Sequence, residues 1–431
     1  MHFSLNLAVA LLAGHVAADT TTTIDAKSDR GTWEGWGTSL AWWARKFGNR
    51  DDLADIFFTT NWNSIDGESM VVSSKMMLSR QIEGHWLDWN SADPASTSWS
   101  WGVDANQRGM MQKAKSRGAN RFELFSNSPM WWMTKNHNPS GSADGSENIQ
   151  SWNLQQHAVY MAVMAKYAKD NWGITFESEG CHIDVATQAS IINYLRTELD
   201  NRGLNTMTIA ASDESYYDQA VSTWNGLGSA LDKVARINVH GYQYGNGARD
   251  KLYAQAASKG QRLWNSEYGE NDATGERLVS NMLLDFRWLR PTGWVYWQVL
   301  DGGGWGVIDA AGTLGAANQK YFVFAQFTRH IREGMKILDG GSDNVVAAYD
   351  AANSKLVIVA INWGSAQYLN FDLSKFTQGS TDGAKVTRWR TQVGSGDRYV
   401  KADDTVMSGT KFWSYFESKM VQTFEVPNVK L

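Results

Sequence analysis

This 431-residue chain has few cysteines, few prolines and a small net charge. Each of these properties excludes a class of protein. The single cysteine, Cys181, excludes a disulfide framework and a cysteine-based zinc site. Only 5 prolines, with 39 glycines that follow no three-residue period, exclude collagen-like and proline-rich disordered chains. The 40 Lys and Arg against 45 Asp and Glu give a net charge of −5, which offers no basic field for nucleic acid or an anionic membrane.

Metal and cofactor chemistry is not indicated either. The 8 histidines form no ligand spacing such as His-Glu-x-x-His, and the glycine-rich run at 301–306 lacks the Lys-Ser/Thr and the helix of a phosphate-binding loop. We therefore expect a protein without a metal or an organic cofactor.

Aromatic side chains are abundant, with 22 Trp, 15 Tyr and 16 Phe, and the hydrophobic fraction of 43% is enough for a large core. Tryptophan has a flat apolar face and one polar N–H group, which suits a ligand that presents C–H surfaces ringed by hydroxyls. A sugar fits that description, although most of the tryptophans are expected in the core.

The amino terminus is typical of a secretory leader. Leu5–Gly14 is a short apolar run, and the small residues Val16–Ala18 precede Asp19. The run is too short to cross a bilayer, and no later segment is apolar enough. This pattern predicts a signal peptide at residues 1–18 and a secreted protein, with a buried amino-terminal helix as the alternative.

Short β-type runs then alternate with helical patterns between residues 33 and 327, which predicts a parallel (β/α)₈ barrel. Only seven strands are recognised, so the barrel is expected to be incomplete. Residues 328–431 contain strands without a convincing helix and predict an antiparallel β-sandwich, to which residues 19–32 add a segment. The seven predicted barrel strands are Gly35–Trp42, Arg121–Phe125, Ile174–Phe176, Met207–Ala211, Ile237–His240, Arg262–Ser266 and Gly293–Gln298.

Glu267 carries the strongest catalytic signal, because it ends a short strand in the segment LWNSEYG. Catalytic groups of parallel barrels lie at the carboxyl ends of the strands, and a carboxylate there can attack an anomeric carbon. A surface ion pair is the alternative. The other candidates are side chains on the same rim that could contact a sugar: Trp42, Trp43, Trp131, Trp132, His240, Tyr242, Trp297 and Trp305.

Five segments, WGTSLAWWA, FELFSNSPMWWM, INVHGYQYG, LWNSEYG and WVYWQVLDGGGWG, together resemble the fungal glycoside hydrolase family 30 enzymes, in particular the secreted endo-β-1,6-galactanases. The resemblance runs from about Thr32 to Leu431. It implies a (β/α)₈ barrel with a β-sandwich and retaining hydrolysis by two glutamates, with Glu267 as the nucleophile. It also implies that Trp132, Tyr242 and Trp297 line the subsite of the cleaved sugar.

The chain departs from that family at two places. The family carries its acid/base glutamate in Asn-Glu-Pro after the fourth strand, but no such tripeptide occurs here, and Glu177 is the remaining candidate. The second gap, between Thr60 and Asp66, lacks a strand and a cysteine of the family pattern, which would explain the unpaired Cys181. Both gaps are consistent with omitted coding segments or with a decayed copy of the gene.

The sequence therefore predicts a monomeric, secreted endo-glycoside hydrolase that acts on a polysaccharide, β-1,6-galactan, with impaired acid catalysis. One alternative is an inactive carbohydrate-binding protein. Another is a different specificity of the same family, for β-1,6-glucan, xylan or glucosylceramide.

Overall fold

A closed barrel of eight parallel strands and an attached β-sandwich make up the protein. The computed structural model describes residues 20–59, 70–76, 84–139, 141–181 and 184–431, with residues 70–76 and 178–181 described as backbone only. The predicted leader at residues 1–18 lies outside the described residues.

The barrel strands are, in order around the barrel, β2 (Gly35–Ser39), β3 (Met70–Met76), β4 (Arg121–Ser126), β5 (Ser178–Cys181), β6 (Thr208–Glu214), β7 (Val234–His240), β8 (Arg262–Tyr268) and β9 (Gly293–Tyr296). The helices that follow or flank them are α1 (Trp43–Phe47), α2 (Asp51–Phe58), α3 (Ala105–Ser116), α4 (Leu154–Tyr167), α5 (Val185–Asn201), α6 (Tyr217–Gly226), α7 (Arg249–Ser258), α8 (Glu276–Leu284) and α9 (Gln319–Thr328).

The expectation of an incomplete barrel is wrong. Strand β3 fills the second position and pairs in parallel with β2 on one side and β4 on the other, and β9 pairs with β2 to close the ring. The sequence of β3, MVVSSKM, is partly polar, and it does not alternate as a half-buried strand should.

The fourth barrel strand begins later than the sequence predicted. Ile174–Phe176 is not a strand, and β5 instead covers Ser178–Cys181. Asp184 then caps α5, because its carboxylate accepts hydrogen bonds from the backbone N–H groups of Ala186 and Thr187 at 3.1 and 3.3 Å.

The sandwich consists of a six-stranded sheet and a three-stranded sheet. The larger sheet has the order β12-β13-β14-β20-β17-β18, and its central strand β14 is an apolar run that is buried along nearly all its length. The smaller sheet has the order β1-β15-β19. The bounds are β1 (Thr20–Thr23), β12 (Lys336–Asp339), β13 (Val345–Asp350), β14 (Lys355–Asn362), β15 (Gln367–Asp372), β17 (Lys385–Gln392), β18 (Val400–Val406), β19 (Lys411–Phe416) and β20 (Met420–Val426).

Four short strands complete the described set. Strands β10 and β11 pair with each other at the rim of the barrel, and β16 pairs with β21 at the edge of the sandwich. Their bounds are β10 (Leu300–Asp301), β11 (Ile308–Asp309), β16 (Gln378–Gly379) and β21 (Val429–Lys430).

Helix α9 joins the two parts. Gln326 on this helix donates a hydrogen bond to Thr391 Oγ1 on β17 at 2.8 Å, and its backbone carbonyl accepts one from Thr423 Oγ1 on β20 at 2.7 Å. These bonds satisfy polar groups that are fully buried between the helix and the sheet. Among the described residues, none of the helices combines the length and apolar character needed to traverse a bilayer.

Candidate active site

Glu267 lies at the carboxyl end of β8 and is 5% exposed. The Tyr242 hydroxyl donates a hydrogen bond to Glu267 Oε1 at 2.7 Å, and His240 Nδ1 lies 3.6 Å from the same oxygen. Burial raises the pKa of Tyr242 well above its ordinary value, so the phenol keeps its proton and remains a donor. A buried carboxylate that receives such a donor is held in one orientation.

Two glycines allow these side chains to come together. A Cβ on Gly241, between His240 and Tyr242, would lie 2.7 Å from the ring of Tyr268, so only glycine fits there. A Cβ on Gly269 would lie 3.1 Å from Trp297 Cβ and 3.4 Å from the Trp305 ring. The segments His-Gly-Tyr and Glu-Tyr-Gly therefore use glycine where the backbone approaches an aromatic ring.

Three of the predicted aromatic residues lie on the rim that carries Glu267, after β2, after β9 and between β10 and β11. Trp297 follows β9, and its ring packs edge-on against Trp42 with centroids 5.2 Å apart. Trp42 is 40% exposed and Trp305 is 36% exposed, so both offer an indole face to a ligand. Trp297 is 9% exposed and forms the buried side of the group.

Two other predicted contact residues are core residues. Trp43 is 3% exposed, packs against Phe57 and donates its indole N–H to the Ser39 carbonyl at 2.6 Å. Trp132 is 4% exposed and donates to the Trp86 carbonyl at 3.1 Å. Both indole N–H groups are thus bound to backbone carbonyls, and the assignment of these two rings to substrate contact stays a prediction.

Trp131, the neighbour of Trp132, is the exposed member of that pair. It is 42% exposed and lies beside Trp89, with ring centroids 6.3 Å apart. The short 3₁₀ turn at Trp131–Met133 points consecutive side chains in different directions, which separates the roles of the two tryptophans.

Glu177 lies at the wrong end of the barrel for an acid/base. It immediately precedes β5, and its carboxylate is 3.1 Å from Arg121 at the amino end of β4. Glu267 is at the carboxyl end of β8, and all eight strands run in the same direction. The two carboxylates are therefore on opposite rims, and the assignment of Glu177 is corrected.

Asp213, at the end of β6, is a site residue that the sequence reasoning missed. It accepts hydrogen bonds from Ser266 Oγ at 2.9 Å and from Asn238 Nδ2 at 3.2 Å, and His240 Nε2 lies 3.5 Å from it. His240 thus lies between the carboxylates of Asp213 and Glu267. A carboxylate at the carboxyl end of a barrel strand was the signal that could have identified it.

A chain of polar groups continues from Asp213 towards the opposite rim. Asn238 also donates to Glu123 at 2.9 Å, and Glu123 forms a buried ion pair with Arg236. The Arg236 guanidinium lies 3.4 Å above the Trp264 ring, whose N–H donates to Glu34 at 2.7 Å. Burial lowers the pKa of Arg236 to about 9, which leaves it charged at neutral pH.

A groove of about 820 Å³ lies on the same rim as Glu267. It is bounded by Asn127–Pro129 after β4 and by Glu214 at the end of β6. Glu267 itself is not among its lining residues. Among the described residues, no group of three His, Cys, Asp or Glu side chains has the geometry to hold a metal ion.

Comparison with known proteins identifies relatives of this chain. A sequence model described as glycosyl hydrolase family 59 matches residues 81–319. An endo-β-1,6-galactanase of Hypocrea rufa is 52% identical over 473 aligned residues, which cover 99% of this chain and 98% of the relative. The chain belongs to the family of glycoside hydrolases that includes this galactanase. The predicted relationship to endo-β-1,6-galactanases is confirmed.

Solved structures of glycoside hydrolase family 30 share the fold. The catalytic domain of xylanase C from Talaromyces cellulolyticus gives a TM-score of 0.75 at 19% identity, covering 94% of this chain and 99% of that one. A subfamily 8 xylanase from Clostridium acetobutylicum gives 0.72 at 19% identity, with the same coverage. The predicted barrel and sandwich are confirmed by these structures.

The alignment with the galactanase also bears on the two gaps. Its 473 positions exceed the 431 residues of this glycoside hydrolase by 42, so at least 42 positions of the alignment have no counterpart in the chain. Segments present in the relative are therefore missing here.

Replacing Tyr242 with phenylalanine is expected to lower kcat/KM for an aryl β-galactoside by about 10- to 100-fold, because a hydrogen bond to a charged group is worth about 1.5–3 kcal/mol. The acid limb of the pH–rate profile should also move to higher pH, since the carboxylate loses a donor that favours its ionised form. Tyr244→Phe, two residues further on, is the matched control. An unchanged pH profile in Tyr242→Phe would contradict this role.

Proposed function

We propose that the rim of the barrel that carries Glu267 binds β-1,6-linked galactan and that Glu267 is the nucleophile of a retaining displacement. The observation that carries this proposal is the buried carboxylate at the end of β8, which accepts the Tyr242 hydroxyl at 2.7 Å on the same rim as the Trp42–Trp297 pair. The activity in the name of the 52% identical relative supports galactan as the glycan.

The chemistry assigned to Glu267 has two steps. A carboxylate oxygen forms a bond to C1 of the sugar while the bond from C1 to the leaving oxygen breaks, which gives a covalent ester. Water then attacks C1 as the ester bond to the carboxylate breaks, and it gives up a proton to bulk solvent, so the product keeps the β configuration. Tyr242, which stays protonated, stabilises the carboxylate before attack and after release.

This chain differs from other retaining enzymes in the carboxyl group that would protonate the leaving oxygen. Retaining enzymes place a second carboxyl group about 5–5.5 Å from the nucleophile to protonate the leaving oxygen. Here β5 ends at Cys181, and Glu177 pairs with Arg121 on the opposite rim. Asp213 is 1% exposed and accepts bonds from Ser266 and Asn238, so it is committed to protein donors.

We therefore propose that galactan is bound but cleaved slowly. General acid catalysis is typically worth about 10²–10⁴ in rate, and a sugar alkoxide leaves poorly without it. The second candidate is a protein that binds galactan and does not cleave it. The position of Glu177 before β5, on the rim opposite Glu267, favours this candidate too. Product release from galactan during long incubation separates the two candidates.

Substrate class is tested by measuring the affinity of the purified protein for β-1,6-galactan, β-1,6-glucan and xylan by isothermal titration calorimetry. We expect galactan to bind at least about tenfold tighter than the other two, because a site that hydrogen-bonds a hydroxyl of one configuration rejects the other. Equal or tighter binding of glucan or xylan would reject galactan as the ligand.

We also propose that the protein is secreted after cleavage behind Ala18. The apolar run at Leu5–Gly14 and the small residues before Asp19 support this. Amino-terminal sequencing of the protein recovered from culture medium should begin at Asp19, and a mature chain that still begins at Met1 would reject it.

A further inference from the structure

The three-stranded sheet of the sandwich has an outward face that carries three exposed aromatic side chains. Trp413 and Tyr415 on β19 are 51% and 46% exposed, and Tyr368 on β15 is 47% exposed. Residues Tyr368 and Tyr415 are paired across the two strands, with ring centroids 5.4 Å apart. We call these three residues the aromatic face.

Buried and exposed side chains alternate along β19, so the aromatic face is the solvent side of the sheet and not part of the core. The side chains of Phe412 and Phe416 point inward and are fully buried. Those of Trp413 and Tyr415, which lie between them in the sequence, point outward. Phe371 on β15 stacks on Phe412 in the core at 5.0 Å. The outward aromatics add nothing to that core, and a solvated sheet face is ordinarily polar.

Uncharged hydrogen-bonding groups stand next to the aromatic rings. Asn370 lies directly across from Trp413, and its amide donates to Thr21 Oγ1 on β1 at 3.4 Å. The next row contains Lys411 and Asp372, which are 3.3 Å apart and neutralise each other. The face therefore combines flat apolar rings with amide and hydroxyl groups and has no unbalanced charge, which suits a neutral polyhydroxylated ligand.

The size of the face also favours an extended small ligand over a protein. Three half-exposed aromatic side chains offer roughly 300 Å², whereas a stable protein interface buries about 800 Å² on each partner. Along β19 the two outward rings are separated by about 7 Å. Each ring can therefore face a different sugar residue of one chain.

We propose that the aromatic face is a second glycan-binding site, separate from the barrel rim that carries Glu267, and that it holds a β-1,6-linked galactan chain. The identification of the glycan as galactan rests on the proposed function, whereas the sugar-binding character of the face does not. Such a site raises the local concentration of polymer at the protein, because a chain held at one site binds the other intramolecularly.

The test compares the full-length protein with the double variant Trp413→Ala/Tyr415→Ala by affinity electrophoresis in gels that contain β-1,6-galactan. We expect the double variant to be retained about tenfold more weakly, since it loses two ring contacts and a tenfold change corresponds to about 1.4 kcal/mol. Trp413→Phe keeps a flat ring and should retain most of the affinity. Circular dichroism and the urea midpoint establish that the variants are folded.

Trp288→Ala is the matched control, because Trp288 is a similarly exposed indole, 42% accessible, at the end of the segment after α8. It should leave retention unchanged. Equal retention of the double variant and the parent would overturn the proposal, and so would a dimer in sedimentation that the double substitution dissociates. Turnover of an aryl β-galactoside by the parent protein tests the proposed function separately, so failure of one proposal is distinguishable from failure of the other.

Discussion

Glu267→Gln is expected to lower turnover of 2,4-dinitrophenyl β-galactoside by at least about a thousandfold. This substrate has a leaving group that departs without protonation, so its cleavage reports the nucleophile alone. The glutamine amide has nearly the same shape and can still accept the Tyr242 hydroxyl, which is 2.7 Å from Glu267 Oε1. It cannot form the covalent ester, so activity falls while the fold is kept.

Glu177→Gln is the control for this experiment. It removes the carboxylate that pairs with Arg121 on the opposite rim, and we expect turnover to stay within about twofold of the parent because an exposed ion pair contributes little. A covalent adduct of a 2-fluorogalactosyl inhibitor on the peptide that contains Glu267 would identify the attacking oxygen directly. Retention of more than a tenth of the parent rate in Glu267→Gln would remove this residue from the mechanism.

The second large effect is expected from supplying the acid that we propose this chain lacks. Inserting the Asn-Glu-Pro stretch of the galactanase-type enzymes between Phe176 and Glu179 should raise the rate on a β-1,6-galacto-oligosaccharide by about 10²–10⁴. The rate of bond cleavage in the dinitrophenyl substrate should barely change, since its leaving group needs no proton. The contrast between the two substrates is the measurement.

The same insertion with Asn-Gln-Pro is the matched control, because it restores the length of the chain without the carboxyl group. In the parent protein, sodium azide should accelerate release of the sugar and give β-galactosyl azide, as the anion attacks C1 and needs no general base. If the parent already cleaves the oligosaccharide as fast as the insertion variant, an acid is present and the proposal of slow cleavage is wrong.

The sequence predicted the barrel, the sandwich and the place of Glu267, because these depend on regular patterns. Strand alternation and crossover helices repeat along the chain, and a glutamate at a strand end stands out against them. Strand β3 was missed since its seven residues, MVVSSKM, contain too few alternating apolar positions to be recognised.

The errors at the site came from strand boundaries that the sequence misplaced by three or four residues. Taking Ile174–Phe176 as the strand put Glu177 at its carboxyl end, whereas β5 begins at Ser178 and puts it at the amino end. Ending β6 at Ala211 concealed Asp213 for the same reason. Which of two consecutive tryptophans is exposed depends on the turn that carries them, and sequence spacing does not determine that turn.

The pairing of β1 with β15 ties the two ends of the chain together. Thr20–Thr23 begins the described chain, yet its only strand partner among the described residues is Gln367–Asp372, which in turn pairs with Lys411–Phe416. Such distant contacts form late, because a very long loop must close first. During synthesis the first strand must therefore wait, unpaired, until nearly the whole polypeptide has left the ribosome. A fragment that ends at residue 327 would keep that strand with no sheet to join.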